Sequence, residues 1–195
     1  MKTHFQPTLF LAAILALAAG CASAPSKFYT LNATATGDGA SAASYAVAVG
    51  PVTVPAEVDR PQFTVTVAPN RVAVDEFNRW AEPLTDNIAR VVAVDLATLL
   101  GTPRVTSTTL ANFNPNYRVT VDIQKFKSMP GQSAQLDAVW VVRRPAGNVT
   151  LSGRTTATEP VTDSSYDALA AAHSRALAKL SSDLAAAIRT EAAAK

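Results

Sequence analysis

The chain contains a single cysteine, Cys21, so no disulfide can form within it. Of its two histidines, His4 lies in the first few residues, which leaves His173 as the one imidazole of the body. A metal site needs several His, Cys or clustered carboxylate ligands, and no such cluster appears along the sequence. There is no G-x-S-x-G nucleophile turn, no Walker phosphate loop and no G-x-G-x-x-G. No apolar run reaches the roughly 20 residues that a membrane-spanning helix requires. The 17 Lys and Arg nearly balance the 15 Asp and Glu, which argues against a broad basic face for nucleic acid. No internal repeat is visible. These absences favour a body without catalytic residues, metal or cofactor.

What is present begins at the amino terminus. Lys2 supplies a positive start, and Thr8 to Ala19 is apolar after its first residue. Small residues close the run, as in a secretory signal. Leu17-Ala18-Ala19-Gly20-Cys21 resembles a bacterial lipobox, in which the peptidase cuts before the cysteine. In that motif the thiol carries diacylglycerol and the new amino terminus is acylated. A thiolate is the side-chain nucleophile suited to taking a lipid group. The commonest lipobox has leucine three places before the cysteine; here Ala18 stands there and Leu17 is one further out. The alternative is an ordinary signal cut near Ala22-Ser23-Ala24, with Cys21 incidental. On the lipobox reading, residues 1–20 are signal, 21–27 a lipidated tether and 28–190 one domain. Ala22, by resemblance to enterobacterial sorting rules, directs the protein to the outer membrane. The leash from Cys21 to Phe28 is about 25 Å at most, so the domain sits close to the bilayer.

The body reads as strands and two long helices. Lys27 to Leu31 is a short strand, and Thr34 to Ser44 is a flexible loop with nothing to bury. Tyr45 to Val54 is a strand whose Pro51 and Pro55 mark an edge or the end of pairing. Gln62 to Val67 and Arg71 to Val74 form a hairpin around Pro69-Asn70. Phe77 to Trp80 leads into a helix from Leu84 to about Leu100, with Pro83 at its first turn and Gly101 as its cap. Leu84, Ile88, Val91, Val92, Leu96 and Leu99 form its apolar stripe. Arg104 to Thr108 is a strand. Tyr117 to Gln124, Gln135 to Arg143 and Asn148 to Ala157 alternate with period two and form an antiparallel meander. Ser164 and Asp167 have capping-box-like spacing for a final helix striped by Leu169, His173, Leu177, Leu180, Leu184 and Ile188. Its tail after Arg189 frays. The expected class is α/β, with α+β as the alternative. It is a single domain, with a mixed, largely antiparallel sheet and two long helices packed on it.

Several residues are candidates for a role. His173 falls on an apolar stripe and reads as packed. Asp59, Arg60 and Glu82 form a charge constellation beside Trp80. Trp80 is either an exposed binding anchor or a cover for the core beside the first helix. Arg143-Arg144 at a hairpin tip is either a solvated turn or a contact for anionic headgroups. The sequons at Asn32 and Asn148 read as accidents.

Several blocks together resemble a known family. They are Lys27-Phe28-Tyr29-Thr30-Leu31, Val49-Gly50-Pro51-Val52 with Pro55, Asp59-Arg60-Pro61-Gln62, Asn70-Arg71 and Phe77-Asn78-Arg79-Trp80-Ala81-Glu82-Pro83-Leu84. The chain is similar to the PqiC-like family, the ABC-type transport auxiliary lipoprotein component. The resemblance implies an outer-membrane lipoprotein facing the periplasm. Its partners would be a mammalian-cell-entry (MCE) domain protein and inner-membrane transport subunits, moving lipid between membranes and supporting envelope integrity. It implies no cofactor beyond the acyl groups on Cys21. Arg60, Arg79, Trp80 and Glu82 are the candidate partner-binding residues, and a homo-oligomeric ring is a hypothesis. The competing readings are a module that binds lipid itself, in an enclosed apolar cavity, and a hydrolase, which needs His173 beside a serine and an acid in a cleft.

Overall fold

The computed structural model describes residues 24–39 and 41–194. The signal segment and Cys21 lie outside the described residues. The strands are β1 (Lys27–Tyr29), β2 (Val47–Thr53), β3 (Gln62–Ala68), β4 (Arg71–Trp80), β5 (Val105–Thr106), β6 (Tyr117–Met129), β7 (Ser133–Arg144) and β8 (Val149–Pro160). The helices are α1 (Leu84–Leu100) and α2 (Tyr166–Ala193). Together they form a single α/β domain.

The strands divide between two sheets. One has the order β5-β2-β6-β7-β8, with β2 parallel to both β5 and β6, and β6, β7 and β8 antiparallel. The other has the order β1-β4-β3, with β1 parallel to β4 and β3 antiparallel to it. The expected meander is present as β6, β7 and β8. Its alternation buries Val119, Val121, Ile123, Leu136, Ala138 and Val142 on one face and turns Arg118, Thr120 and Asp122 to solvent. Both helices cover the buried face. Leu96 of α1 and Leu177, Leu184 and Ile188 of α2 are fully buried there.

Four local expectations need correction. First, β4 runs to Trp80 instead of ending near Val74. The Asp75 carboxylate accepts the Phe77 and Asn78 amides, each at 2.9 Å, and holds a bulge. Pairing resumes beyond it, with Phe63 opposite Asp75 but Gln62 opposite Arg79. A bulge of this kind changes which residues face inward. Second, α2 is capped by Ser165, not Ser164; the Ser165 hydroxyl accepts the Ala168 amide at 3.1 Å. Third, the end of α2 is held. Tyr117 donates its hydroxyl to Glu191 Oε2 at 2.5 Å, and Arg144 Nε lies 2.7 Å from Glu191 Oε1 as an ion pair. Arg144 is thereby turned inward, and Arg143 alone of the pair is exposed.

The fourth correction concerns residues 30–39 and 41–43. They form an ordered strap over the two helices, not a free loop. Asn87 Oδ1 accepts the Leu31 amide at 2.7 Å, and Asn87 Nδ2 donates to the Leu31 carbonyl at 3.3 Å. Ser174 Oγ accepts the Asn32 amide at 3.1 Å, and Asp95 Oδ1 accepts the Ala35 amide at 2.9 Å. Further on, Asp38 pairs with Arg189 at 2.5 Å, and the Ala43 amide donates to the Leu100 carbonyl at 2.9 Å. The strap has little to bury of its own beyond Leu31. The helices supply the acceptors that its extended backbone needs.

Gly101 ends α1 as expected, with φ +62°. A Cβ there would also stand 3.2 Å from Ala42 Cα of the strap, so glycine serves both the left-handed cap and the close approach. Pro83 sits at the N-cap rather than in the first turn, and its carbonyl accepts the Asp86 and Asn87 amides.

Candidate functional site

Two connectors meet beside the small sheet. One is Pro55 to Pro61, between β2 and β3. It folds back on itself, with the Val58 amide on the Pro55 carbonyl at 3.0 Å and the Arg60 amide on the Val58 carbonyl at 2.9 Å. Val58 is its buried plug, and Thr64 Oγ1 ties it to β3 through the Glu57 carbonyl at 3.0 Å. The other connector is Ala81 to Pro83, between β4 and α1. The two are joined where the Trp80 amide donates to the Pro61 carbonyl at 2.7 Å.

Between them lies a groove of about 340 Å³ lined by Asp59, Arg60, Pro61, Trp80, Ala81, Glu82, Pro83 and Leu84. Its floor is apolar, from Trp80 and Leu84, both buried, and its walls carry Pro61 and Pro83. Asp59 and Arg60 stand exposed at the rim, and no described side chain pairs with either. Glu82 is different: its carboxylate is taken by Arg90 of α1.

The groove therefore gathers three of the four candidate partner-binding residues, Arg60, Trp80 and Glu82. Arg79 is not among them. Its side chain turns away from the groove, donating Nε to the Glu76 carbonyl at 2.7 Å and pairing with Glu76 Oε2 at 3.4 Å. Trp80 is no exposed anchor. It is 5% exposed and stacked on Phe63 with ring centroids 4.2 Å apart. Of its two sequence readings, cover for the core describes its place, and what it leaves exposed lines the groove.

Trp80 belongs to a chain of rings linking the two sheets. Tyr29 and Tyr166 pack on Phe63, Phe63 on Trp80, and Trp80 edge-on against Phe126 at 6.4 Å. Phe126 in turn stacks on His173 at 3.8 Å. Asp75 pins the near end. It accepts the Tyr166 hydroxyl at 2.8 Å and Asn78 Nδ2 at 2.9 Å. Burial alone would raise this carboxyl. The hydrogen bonds from Tyr166, Asn78 and the Phe77 and Asn78 amides outweigh it and hold the group at about 2. Burial, followed by the bond to Asp75, pushes the Tyr166 phenol up.

His173 is fully buried, with Nε2 2.8 Å from Ser128 Oγ and no partner for Nδ1. Burial pushes its pKa down to about 3, so the ring is neutral at ordinary pH. A serine beside a histidine is half of a hydrolytic constellation. Here both residues are buried and the histidine has no acid to orient it. Among the described residues no three His, Cys, Asp or Glu side chains stand close enough together to hold a metal ion.

The residues that sequence reasoning missed are those that hold the strap: Asn87 and Asp95 on α1, Ser174 and Ser181 on α2. Ser181 Oγ lies 3.2 Å from Asp95 Oδ2, which joins the two helices beneath the strap. Burial raises the Asp95 carboxyl, opposed by the bonds from Ala35 and Ser181. A signal existed. Polar residues interrupt the apolar faces of both helices at near-heptad spacing, which marks a buried polar contact.

Comparison with known proteins follows the same outline. No curated protein matches the chain. A crystal structure of a Xanthomonas campestris protein superposes with a TM-score of 0.69 at 20% identity, covering 82% of this chain and 93% of that one. A second crystal structure, of an uncharacterized protein, superposes with a TM-score of 0.70 at 15% identity, covering 85% of this chain and 99% of that one. At such identities the likeness is one of fold. The family described as ABC-type transport auxiliary lipoprotein component matches residues 29–185, a span that includes the strap, both groove connectors and most of α2. The chain belongs to that family of auxiliary lipoprotein components of ABC-type transport.

Proposed function

We propose that this protein is an outer-membrane lipoprotein, acylated at Cys21, and the docking subunit of an MCE-type inter-membrane lipid transport system. It faces the periplasm, holds no cofactor beyond its acyl chains, and supports envelope integrity by contact rather than chemistry. Family membership gives the auxiliary transport role. The observation that carries the docking reading is the groove at Asp59–Pro61 and Trp80–Leu84. It has an apolar floor, proline walls and a rim guanidinium, Arg60, with no partner among the described residues. An unpaired arginine beside an apolar, preformed recess is a common contact for a protein partner. The sealed Ser128–His173 pair supports a non-enzymatic role.

Capture from membranes tests this. The tagged full chain should co-purify an MCE-domain protein, and Arg60→Glu should reduce that yield while leaving the fold intact. Equal capture by the two chains would remove the groove from the reading. Absence of any MCE protein from the wild-type capture would remove the transport partner.

The lipid-binding reading fares less well. The space between the helices and the large sheet, where an enclosed cavity was expected on that reading, is filled by Leu96, Leu177, Leu180 and Leu184, all fully buried. A ring of copies at the outer membrane remains part of the proposal, and mass measurement of the acyl-free domain at high concentration tests it.

A further inference from the structure

Most large apolar side chains of this protein are buried, and the exceptions are not scattered. Among the described residues, seven are exposed, and five of these, Phe28, Val67, Val72, Val74 and Phe77, belong to the three-stranded sheet. Phe28 is 65% exposed, more than any of the others. The pairing puts most of this set on one side. Val72 and Val74 alternate with Ala73 along β4, opposite Thr66 and Thr64 of β3. The bulge at Asp75 then shifts the alternation by one. Asn78 and Trp80 turn inward, toward Tyr29, while Phe77 and Arg79 turn outward. Phe28 pairs with Arg79 across β1 and β4 and shares that outward face. The bulge brings Trp80 into the core and leaves Phe77 exposed beside Phe28, and large apolar side chains gathered on one open face mark a contact surface.

The unpaired charges at the margins of the face are cationic. Arg71 at the start of β4 is exposed and no described side chain pairs with it; Lys27, exposed and equally unpaired at the start of β1, pairs in register with Asn78 and so sits on the other side of that strand from Phe28. Glu76, the carboxylate on this face, is already bonded to Arg79 and Gln62.

We infer that the outer face of the three-stranded sheet rests on the lipid bilayer, with Phe28 and Phe77 reaching the headgroup–acyl boundary and Arg71 at its margin meeting anionic headgroups. The inference rests on the reading of Cys21 as the acylated residue. From Cys21 to Phe28 the chain spans about 25 Å at full stretch. The 28 residues of α2 make a rod of about 42 Å. The leash is therefore shorter than the body, and the surface that carries β1 is the one held against the membrane. The end bearing Arg143 and the β7–β8 turn lies by the C-terminal end of α2, where Arg144 meets Glu191, a helix length from Tyr166 and β1. Aromatic side chains favour the interfacial zone, and lysine and arginine beside it add attraction to anionic lipid. A second weak membrane contact next to an acyl anchor also fixes orientation, which an acyl anchor alone does not.

The test uses the acylated full chain in vesicles of phosphatidylethanolamine with a minority of phosphatidylglycerol, prepared with and without brominated acyl chains. Tryptophan is introduced singly by Phe28→Trp, Phe77→Trp and, as a control on the exposed side of α1, Val94→Trp. The wild-type chain supplies the background of Trp80 and Trp140. The expected result is loss of most of the added emission at positions 28 and 77 in brominated vesicles and none at 94. Co-sedimentation of wild type, but not of Cys21→Ser, reports the anchor separately. Sedimentation without quenching at 28 and 77, or with equal quenching at 94, overturns this inference alone. Crosslinking of Phe77→Cys to a second copy in the same vesicles also overturns it, by naming another occupant. Failure of the wild-type chain to sediment overturns the anchor and this inference with it.

Discussion

The two sheets of this protein obey different rules. The five-stranded sheet alternates along β6 and β7: its apolar side packs under two helices, and its other side is mostly polar, with Val139 and Val141 half-buried there. The three-stranded sheet buries Tyr29, Phe63, Val65 and Trp80 on its inner side, yet leaves Phe28, Val72, Val74 and Phe77 in the open. A sheet that needs only to be stable has no cause to do this, because exposed apolar area contributes nothing to folding and invites association. The large sheet with its helices supplies most of the core that the inner side of the small sheet joins. The small sheet, with the groove on one side and the bare apolar face on another, is where both proposed contacts lie.

That contrast can be tested by asking where substitutions cost stability and where they cost only contact. The heaviest loss should come from the body. Leu177→Ala removes a fully buried side chain between α2 and the large sheet and should lower stability by about 2–5 kcal/mol in thermal or denaturant unfolding. Gly153→Ala comes next. Trp140 lies directly across from Gly153, and a Cβ there would stand 2.2 Å from its ring, so the indole must shift at a cost of about 1–3 kcal/mol. Asp95→Ala leaves the Ala35 amide without its acceptor and should cost about 1–3 kcal/mol, with faster hydrogen exchange through residues 30–38 as the specific readout.

Acid should weaken the body in a defined window. His173 is neutral in the fold down to about pH 3, whereas in the unfolded chain it takes a proton near 6.5. Between those values the unfolded state binds more protons, so the stability that is fully present above 6.5 falls as pH falls, by about 1.4 kcal/mol per pH unit. His173→Phe should flatten that slope in unfolding measured from neutral pH to about pH 4. Asp75 acts lower, between its ordinary 3.8 and about 2, so the two windows overlap only below 3.8 and the slope from neutral pH to about pH 4 belongs to His173. The smallest effect belongs to the contact region. Arg60→Glu should change stability by less than about 0.5 kcal/mol, because no described side chain pairs with Arg60, and its consequence should appear only in partner capture. A large loss of stability there would erase the distinction between body and contact region.

Much of the body could be read in advance, for a simple reason. Period-two alternation from Tyr117 onward and the apolar stripes of both helices are local patterns, and so are Gly101 at a helix end and Pro69-Asn70 at a hairpin tip. The groove was half legible: Arg60, Trp80 and Glu82 sit in motifs that resemble the family's. That Arg79 turns to Glu76 and Glu82 to Arg90 was not, since either acid could have met either base. The strap was illegible because its composition is that of a linker. What orders it is a set of acceptors on helices more than fifty residues away in sequence.

By itself the sequence determined the element types, the antiparallel meander and the apolar helix faces, because each is written in neighbouring residues, and the lipobox-like run before Cys21 is local in the same way. Only the tertiary structure decided that there are two sheets, that Trp80 faces the core while Phe77 faces out, and that residues 30–39 are held. Each of these depends on which hydrogen-bonding partner a backbone group meets in the folded chain, near or far in sequence. Asp75 illustrates the point: by taking two amides of its own strand it shifts the alternation of β4 and so separates the core from the contact face.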